Sequence, residues 1–368
     1  MCNLRFVLTM QKKFSTLLLL IVLHSVTFSQ KATDKVFLKS STIKNSVLSQ
    51  GTWYKFAVDT TGVFKIDRNF LQSLGINTNQ INPKNIRIFG NGGEQLPMLN
   101  SAFRYDGLQE NAIYVNGEDD NTFNSNDYIL FFAKGPHSWK INTSQQDLVR
   151  HQYNIYSDKA YYFLTVDNGP GKRINNQPEI TSITNTQITT FNDYVFFEED
   201  KTNLFANGQQ WFGKDLSYQS TIVHFDFKNL DTSKEIYVRV RGVTISSTTS
   251  SMEIKVNGTS AGTLNFAAIP SGSNVLTLAI PNETIKNINV SSNPIKVEII
   301  YNNNGNPSAK AYLDYIELIG TKKLIANGKQ FGFRSFDAAN LPSSNLVEYS
   351  IENANNIDWV WNVTDSLN

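Results

Sequence analysis

The chain has 368 residues, of which 40% are hydrophobic and 12% aromatic, so it is long enough for two domains with buried cores and leaves room for a third. Its 33 lysines and arginines against 32 aspartates and glutamates give a formal net charge of +1, which provides no electrostatic attraction for nucleic acid or for an anionic membrane surface. A single cysteine excludes a disulfide framework and a paired-cysteine zinc site.

Residues 1–29 are predicted to be an export signal. The basic pair Lys12–Lys13 precedes an apolar run, Phe14–Leu23, which suits a secretory signal and falls short of the about 20 residues that a membrane span needs. A short N-terminal anchor is the alternative. Cys2 lies ahead of the apolar run, which argues against lipidation, and its loss with the signal would leave a mature chain without cysteine chemistry. No later stretch is apolar enough to span a membrane, so we expect an exported chain with no transmembrane span.

The next part of the chain, residues 30–180, is predicted to be a β-rich domain. Runs of β-branched and aromatic residues alternate with Asn, Asp and Gly turns, which favours strands over helices. One short helix is predicted over Arg68–Leu74, with Asp67 as its N-cap and Gly75 at its end. The predicted strands are Thr52–Val58, Val63–Ile66, Asn85–Phe89, Asn111–Val115, Tyr128–Phe132 and Tyr161–Val166.

Residues 188–320 are predicted to form an antiparallel, jelly-roll-like β-sandwich, because seven short strands follow one another at regular intervals. The pair Asn257-Gly258 predicts a tight hairpin turn, and the alternation in Tyr312–Leu318 predicts one solvated face. Residues 321–368 are predicted to be a linker with strands at Phe331–Arg334, Leu346–Ile351 and Trp359–Val363. The predicted sandwich strands are Tyr218–Phe227, Glu235–Ile245, Met252–Val256, Thr263–Phe266, Val275–Ile280, Ile295–Tyr301 and Ala311–Ile319.

Catalytic and metal-binding signatures are absent from the sequence. His137, His151 and His224 follow the predicted signal, and no two of them have a metal-site spacing. There is no Gly-x-Ser-x-Gly elbow, Walker A loop or Gly-x-Gly-x-x-Gly sequence, so hydrolase, nucleotide and dinucleotide sites lack their usual markers. The sequence therefore predicts no catalytic residue and no organic cofactor.

One acidic loop is a candidate calcium site. Asp119, Asn121 and Asp127 offer oxygen ligands within a short, flexible stretch, as calcium prefers. The EF-hand pattern fails, since Phe123 stands where a third ligand is expected. The alternative is a turn held by Asx side chains, with no metal.

Three segments resemble the gingipain-like sortase family that serves type IX secretion. Phe197–Gly213 leads into a sequence similar to the family's Gly-Arg-x-Trp-Tyr/Phe-Gly-Glu, although Gln209 and Lys214 replace its arginine and glutamate. AYLDYIEL resembles the last sandwich strand of that family, and WVWNVTD resembles its Val-Trp-Asp-Val-Thr-Asp junction with Asn362 in place of aspartate. The residues that carry the resemblance are Gly208, Trp211, Phe212, Gly213, Asp314, Tyr315, Trp361, Thr364 and Asp365.

The resemblance implies the non-catalytic front of a surface cysteine peptidase. Such a sortase would remove C-terminal sorting domains from secreted cargo, attach the cargo to the cell surface and dock on an outer-membrane β-barrel partner. Its catalytic Cys and His would lie in a peptidase domain after the junction that ends at Asp365, so none of them is carried over to this chain. The implied location is the cell surface, associated with the outer membrane.

Two further hypotheses come from the residues alone. A free-standing carbohydrate- or protein-binding β-sandwich would use exposed aromatic side chains, and Trp139, Trp211 and Tyr218 are the candidates for stacking on sugar rings. An enzyme built on two facing carboxylates is the third hypothesis, for which the sequence identifies no pair.

Overall fold

The computed structural model describes residues 46–141, 149–167, 169–178, 186–206, 208–272, 276–342 and 345–368. The predicted export signal, residues 1–29, lies outside the described residues. Within those ranges, no helix is both long enough and apolar enough to cross a membrane. The mainly all-β class predicted from the sequence is confirmed.

Two antiparallel sheets and a separate pair of strands make up the part of the chain up to residue 178, which we call the N-terminal region. The sheets have the strand orders β1-β9-β3-β4 and β2-β6-β5, and β7 pairs with β8 as a two-stranded ribbon. The elements are β1 (Tyr54–Val58), β2 (Gly62–Asp67), α1 (Arg68–Ser73), β3 (Arg87–Phe89), β4 (Glu110–Asn111), β5 (Ile113–Asn116), β6 (Tyr128–Ala133), β7 (Ser138–Ile141), β8 (Val149–Gln152) and β9 (Ala160–Thr165).

Local sequence explains α1 and the core beneath it. The Asp67 carboxylate accepts a hydrogen bond from the Phe70 backbone N–H at 2.8 Å, as the N-cap prediction requires. The following Gly75 has φ +88°, a left-handed conformation that ends a helix and that glycine adopts without strain. Leu71 points from α1 into a core of alternate strand residues, among them Phe131 from β6 and Leu164 from β9.

The sandwich consists of two four-stranded antiparallel sheets that enclose one apolar core. We call β11-β18-β13-β16 the first sheet and β12-β17-β14-β15 the second sheet. Two short strands, β10 and β19, pair in parallel outside the sandwich. The strands are β10 (Thr186–Ile188), β11 (Thr190–Glu198), β12 (Thr221–Phe225), β13 (Ile236–Ile245), β14 (Ser250–Val256), β15 (Thr259–Phe266), β16 (Ile280–Ile288), β17 (Ile295–Asn302), β18 (Lys310–Lys323) and β19 (Val347–Tyr349).

The predicted sandwich strands are confirmed with one exception. Asn257 and Gly258, with φ of 50° and 85°, form the predicted tight turn between β14 and β15. The strand predicted over Val275–Ile280 is wrong over the described residues 276–279, because β16 begins only at Ile280 and continues through Pro281, while Val275 lies outside the described residues. Proline is tolerated there since β16 is an edge strand, where a missing N–H interrupts no ladder on the outer side.

Residues 324–368 contact both the N-terminal region and the sandwich within the compact unit Asn45–Asn368. The strands predicted at Phe331–Arg334 and Trp359–Val363 are wrong, and the one predicted at Leu346–Ile351 shortens to β19. Apart from β19, which pairs with β10, these residues are held mainly by single side chains and carbonyls. The Gln330 carboxamide, for example, bonds to both the backbone N–H and the carbonyl of Val63 on β2. A short helix, α2 (Phe336–Ala339), interrupts the segment.

Candidate functional site

The outer face of the first sheet carries charged residues that are buried. Arg239 on β13 and Glu317 on β18 are direct cross-strand neighbours, and both side chains are 0% exposed. Their side chains form an ion pair. Strand alternation predicted that Glu317 would face solvent, and that expectation is wrong because the β7–β8 ribbon covers this face.

The ribbon packs on the first sheet through aromatic rings. Trp139 on β7 stacks on Tyr194 of β11, with ring centroids 4.8 Å apart. His151 on β8 stacks on Phe196 of β11, with ring centroids 4.4 Å apart. The Val149 carbonyl of the ribbon accepts a hydrogen bond from Arg239 at 2.7 Å. Aromatic stacking and a charge-assisted bond therefore join the N-terminal region to the sandwich.

His151 lies between two carboxylates of the sandwich. Its Nδ1 is 2.7 Å from Glu317 Oε2 and its Nε2 is 2.5 Å from Glu198 Oε2, while its backbone N–H also donates to Glu317. Burial alone would lower the pKa of His151, but the hydrogen bonds to Glu198 and Glu317 outweigh it and raise the pKa to about 9. The imidazole is therefore protonated at neutral pH and donates from both nitrogens.

A second cation of the ribbon completes the cluster. Arg150 forms a bidentate pair with Glu283 of β16, with N–O distances of 3.0 and 2.7 Å. Tyr315 donates its hydroxyl to the same carboxylate. The ribbon thus supplies two cations to a sandwich face that carries three glutamates and one arginine. We call this cluster the ionic joint, and its members are Arg150, His151, Glu198, Arg239, Glu283 and Glu317.

Asp314 lies beside the ionic joint at an irregularity in the first sheet. The β13–β18 register shifts between Arg241 and Gly242, which leaves Asp314 as the extra residue of a β-bulge. Its carboxylate is 3.1 Å from the Arg241 guanidinium. Burial raises the pKa of Asp314 to about 7 in spite of Arg241, and burial together with Glu198 raises that of Asp200 to about 6.

The geometry of the ionic joint suits cohesion between the two parts of the chain. A general base must be unprotonated near neutral pH and must reach its substrate. His151 is protonated there, and its side chain is only 5% exposed, so it meets neither condition. The joint instead fixes the ribbon against the first sheet through matched charges.

In the resemblance motif Gly208–Gly213, the structure explains the residue types of the last two positions, Phe212 and Gly213. Phe212 is fully buried and exchanges two backbone hydrogen bonds with Thr202, at 2.8 and 2.9 Å. A Cβ on Gly213 would lie 2.7 Å from the Glu199 carbonyl oxygen, so only glycine fits beside β18. Trp211 is half-buried, and a Cβ on Gly208 would meet nothing within 4 Å.

The remaining motif residues divide between two places. Asp314 and Tyr315 lie at the ionic joint. Trp361, Thr364 and Asp365 lie in the last irregular segment, where the Asp365 carboxylate accepts the Leu367 backbone N–H at 3.0 Å. That turn brings the Leu367 carbonyl to the N-terminal region, where it accepts hydrogen bonds from the Ala112 backbone and the Lys172 ammonium.

The candidate calcium loop is an Asx-rich turn in the structure. Asn121 has the left-handed φ of 62°, and Asp127 accepts the Asn124 backbone N–H at 2.6 Å. The side chain of Asp119 makes no hydrogen bond among the described residues. In the part of the chain that the structure describes, no three His, Cys, Asp or Glu side chains are grouped to hold a metal. Calcium at Asp119, Asn121 and Asp127 remains a prediction.

The loop between β3 and β4 carries an exposed apolar surface. It carries five apolar or aromatic side chains that remain exposed in the folded chain, the largest exposure being 78% at Phe103. Isolated exposed apolar residues are ordinary, whereas a contiguous group of them marks an interaction surface. We call this group the apolar loop, and its members are Leu96, Met98, Leu99, Phe103 and Tyr105.

Sequence reasoning missed the role of the ionic joint. It noted His151 only as a histidine without a metal partner. The available signal was a charged residue in the middle of an apolar strand, as Arg239 is in IYVRVRGV and Glu317 is in YLDYIEL. Their pairing across β13 and β18 depends on strand register, which the sequence alone did not supply.

Comparison with known proteins finds similarity in fold. The crystal structure of dimeric latent PorU from Porphyromonas gingivalis matches 81% of this chain at TM-score 0.66 and 20% identity. The match covers 26% of the PorU chain, so this chain spans about a quarter of that protein's length. The CBM36-1 domain of a multidomain xylanase from the hindgut metagenome of Trinervitermes trinervoides matches 34% of this chain at TM-score 0.25 and 15% identity, covering 96% of that domain. No family model and no curated protein matches.

Proposed function

We propose that this chain is the non-catalytic, PorU-like scaffold of a type IX secretion sortase. The observation that carries the proposal is the fold shared with PorU over 81% of the chain. The order of the resemblance motifs in the sequence supports the same assignment. On this proposal the chain acts at the cell surface, and a gingipain-type peptidase domain of the whole protein removes sorting domains and attaches the cargo.

The ionic joint supports a scaffolding role. It places the N-terminal region and the sandwich in one fixed arrangement through buried, oppositely charged groups from both. Residues 324–368 add further contacts to both parts, such as the bond of Gln330 to β2 and the bond from the Asn192 backbone N–H of β11 to the Arg334 carbonyl. A fixed arrangement is what a support needs in order to hold a peptidase domain and a docking surface at a constant distance.

The apolar loop is the surface that we assign to docking on the outer-membrane β-barrel partner. Its Leu, Met and Phe side chains are exposed, and their burial against a partner would favour association. Cargo sorting domains would be handled by the peptidase domain of the whole protein. The free-standing carbohydrate- or protein-binding module remains the alternative to this proposal.

Co-purification tests the docking proposal. The chain is co-expressed with the β-barrel component of the same secretion system and captured by an affinity tag. We expect Leu99→Ser and Phe103→Ser together to abolish capture of the barrel. Leu276→Ser is the matched control, because Leu276 is 92% exposed on the sandwich and lies outside the apolar loop. Capture that is unchanged in the loop variant would overturn the assignment of this surface.

A further inference from the structure

An open groove lies at one edge of the sandwich, where the chain crosses from the first sheet to the second. The groove has a volume of about 550 Å³, within the range of small-molecule sites. One wall is the crossing segment that enters β12, and the other is the end of β17 with the turn that follows. The lining residues used below are Tyr218, Gln219, Ser220, Tyr301, Asn302 and Asn303.

Tyr218 presents an aromatic ring in this groove and is 84% exposed. The backbone on its N-terminal side is fixed, because the Leu216 N–H donates to the Ala311 carbonyl at 2.8 Å. The Ser217 hydroxyl in turn accepts the Ala311 N–H at 3.1 Å. Tyr218 therefore stands on an anchored segment, which limits the ordering entropy that a ligand would have to overcome.

The polar groups around Tyr218 are available for a ligand. Asn302 and Asn303 use their side-chain oxygens to accept the N–H groups of Asn304 and Gly305, at 2.9 and 3.1 Å, which fixes the turn and leaves their amide N–H₂ groups without a protein acceptor among the described residues. Tyr301 also contributes to the wall, but it packs against the sandwich core and its hydroxyl is buried, so the polar contacts open to a ligand come from the amide groups.

The chemistry of the lining selects a neutral, hydroxyl-rich ligand. The residues that line the groove include no Asp, Glu, Lys or Arg, whereas phosphate and nucleic-acid sites depend on cations. Amide and hydroxyl groups match sugar hydroxyls, which both donate and accept. An aromatic face provides apolar contact for the C–H face of a pyranose ring.

We propose that this groove binds a neutral pyranose sugar, stacked on Tyr218 and hydrogen-bonded by Asn302, Asn303 and Gln219. Of the three aromatic residues considered for sugar stacking from the sequence, the structure leaves Tyr218 available. Trp139 is stacked on Tyr194 at the ionic joint, and Trp211 is half-buried. The proposal does not depend on the scaffold function and adds a ligand site to it.

Saturation-transfer NMR on the whole chain tests the proposal, with methyl glycosides of glucose, galactose, mannose and N-acetylglucosamine as separate probes. We expect saturation transfer to the ring C–H protons of at least one probe. Tyr218→Ala should lower its affinity about tenfold, which is the factor that a stacked aromatic contact contributes. Tyr218→Phe should retain binding, because the ring is kept.

Tyr156→Ala is the matched control, since Tyr156 is 67% exposed but belongs to the N-terminal region. Binding that survives in this control and is lost in Tyr218→Ala supports the site. Absence of transfer to all four probes overturns the proposal, and so does equal transfer to the wild type and Tyr218→Ala. Loss in Tyr156→Ala alone would also overturn it. None of these outcomes involves the β-barrel partner, so failure here is distinguishable from failure of the docking proposal.

Discussion

The two sheets of the sandwich carry charges at similar outward positions, yet they bury them differently. On the second sheet, Lys296 and Glu298 form a pair at 3.6 Å with side chains 38% and 22% exposed. On the first sheet, the paired Arg239 and Glu317 are 0% exposed because the β7–β8 ribbon covers them. Strand alternation sets the direction of a side chain, whereas burial depends on what lies above it. Breaking the buried pair should therefore lower the free energy of unfolding much more than breaking the exposed pair.

The sharpest test of this difference removes one carboxylate charge from each sheet. Glu317→Gln leaves Arg239 and His151 as buried cations with a carboxylate fewer, and breaking a buried pair in this way costs about 3–5 kcal/mol. Glu298→Gln removes a surface charge, and exposed pairs contribute about 0–1 kcal/mol. We expect chemical denaturation to show a large decrease in the free energy of unfolding for Glu317→Gln alone.

The double variant Arg239→Met with Glu317→Leu separates burial from pairing. Replacing both partners by apolar residues of similar size is often neutral, because no unpaired charge is left. His151 would still lose one acceptor in this variant, so partial recovery relative to Glu317→Gln is the expected result. Equal effects of Glu317→Gln and Glu298→Gln would show that the ribbon does not isolate the first sheet from water.

The pH dependence of stability is the next largest expected effect. The pKa of His151 is about 9 in the folded chain and about 6.5 when unfolded, so its contribution is fully present below pH 6.5 and is lost as the pH rises through 9. The shift corresponds to about 3 kcal/mol. The pKa of Asp314 is raised to about 7, so its ionisation also lowers stability as the pH rises, but this loss takes place below about pH 7. The interval from pH 7 to 9 therefore reports on His151.

Thermal unfolding across this interval measures the effect. His151→Gln should abolish most of the decrease in stability between pH 7 and 9, because the titrating group is gone. His224 lies on the exposed face of β12 in the second sheet, and His224→Gln should leave the decrease unchanged. A decrease between pH 7 and 9 that persists unchanged in His151→Gln would contradict its assignment to His151.

Much of the fold followed from local pattern. The six strands predicted in the N-terminal region, the Asp67 cap of α1 and the Asn257-Gly258 turn depend on neighbouring residues, so a sequence pattern is sufficient to predict them. The jelly-roll-like sandwich was predictable for the same reason, because successive side chains along its strands alternate between the core and the outer face. The strands β7, β8 and β11 were not predicted. The continuation of β16 past Ile280 was missed because the tolerance of Pro281 depends on an edge position that only the assembled sheet defines.

The ionic joint was not predictable for a different reason. Its cations come from β8 and β13 and its carboxylates from β11, β16 and β18, so residues 151 and 317 must meet although they are far apart in sequence. Only the packing of the ribbon on the first sheet makes them neighbours. Similarly, the predicted linker character of residues 321–368 overlooked contacts such as that of Gln330 with Val63, which a single side chain makes without any repeating pattern.

The smallest expected effect concerns this exposed contact between distant segments. Gln330→Ala removes two hydrogen bonds to the backbone of Val63, at 2.8 and 3.0 Å, both in contact with solvent. Water can replace such bonds, so we expect a loss of about 1 kcal/mol in the free energy of unfolding, well below that of Glu317→Gln. The local effect should be clearer, because the edge of β2 loses the donor and acceptor that cover it. Hydrogen exchange of the Val63 amide should therefore become faster in this variant.

Gln80→Ala provides the control, since Gln80 is exposed and its side chain makes no hydrogen bond among the described residues. Exchange at Val63 should be unchanged in it. Gln330→Ala could instead lower the free energy of unfolding as much as Glu317→Gln does. That result would contradict the distinction between buried and solvent-exposed contacts, because an exposed hydrogen bond would then stabilise the chain as much as a buried ion pair. Faster exchange confined to the edge of β2, with little change in global stability, would instead show that residues 324–368 protect the N-terminal region locally while the ionic joint provides the cohesion.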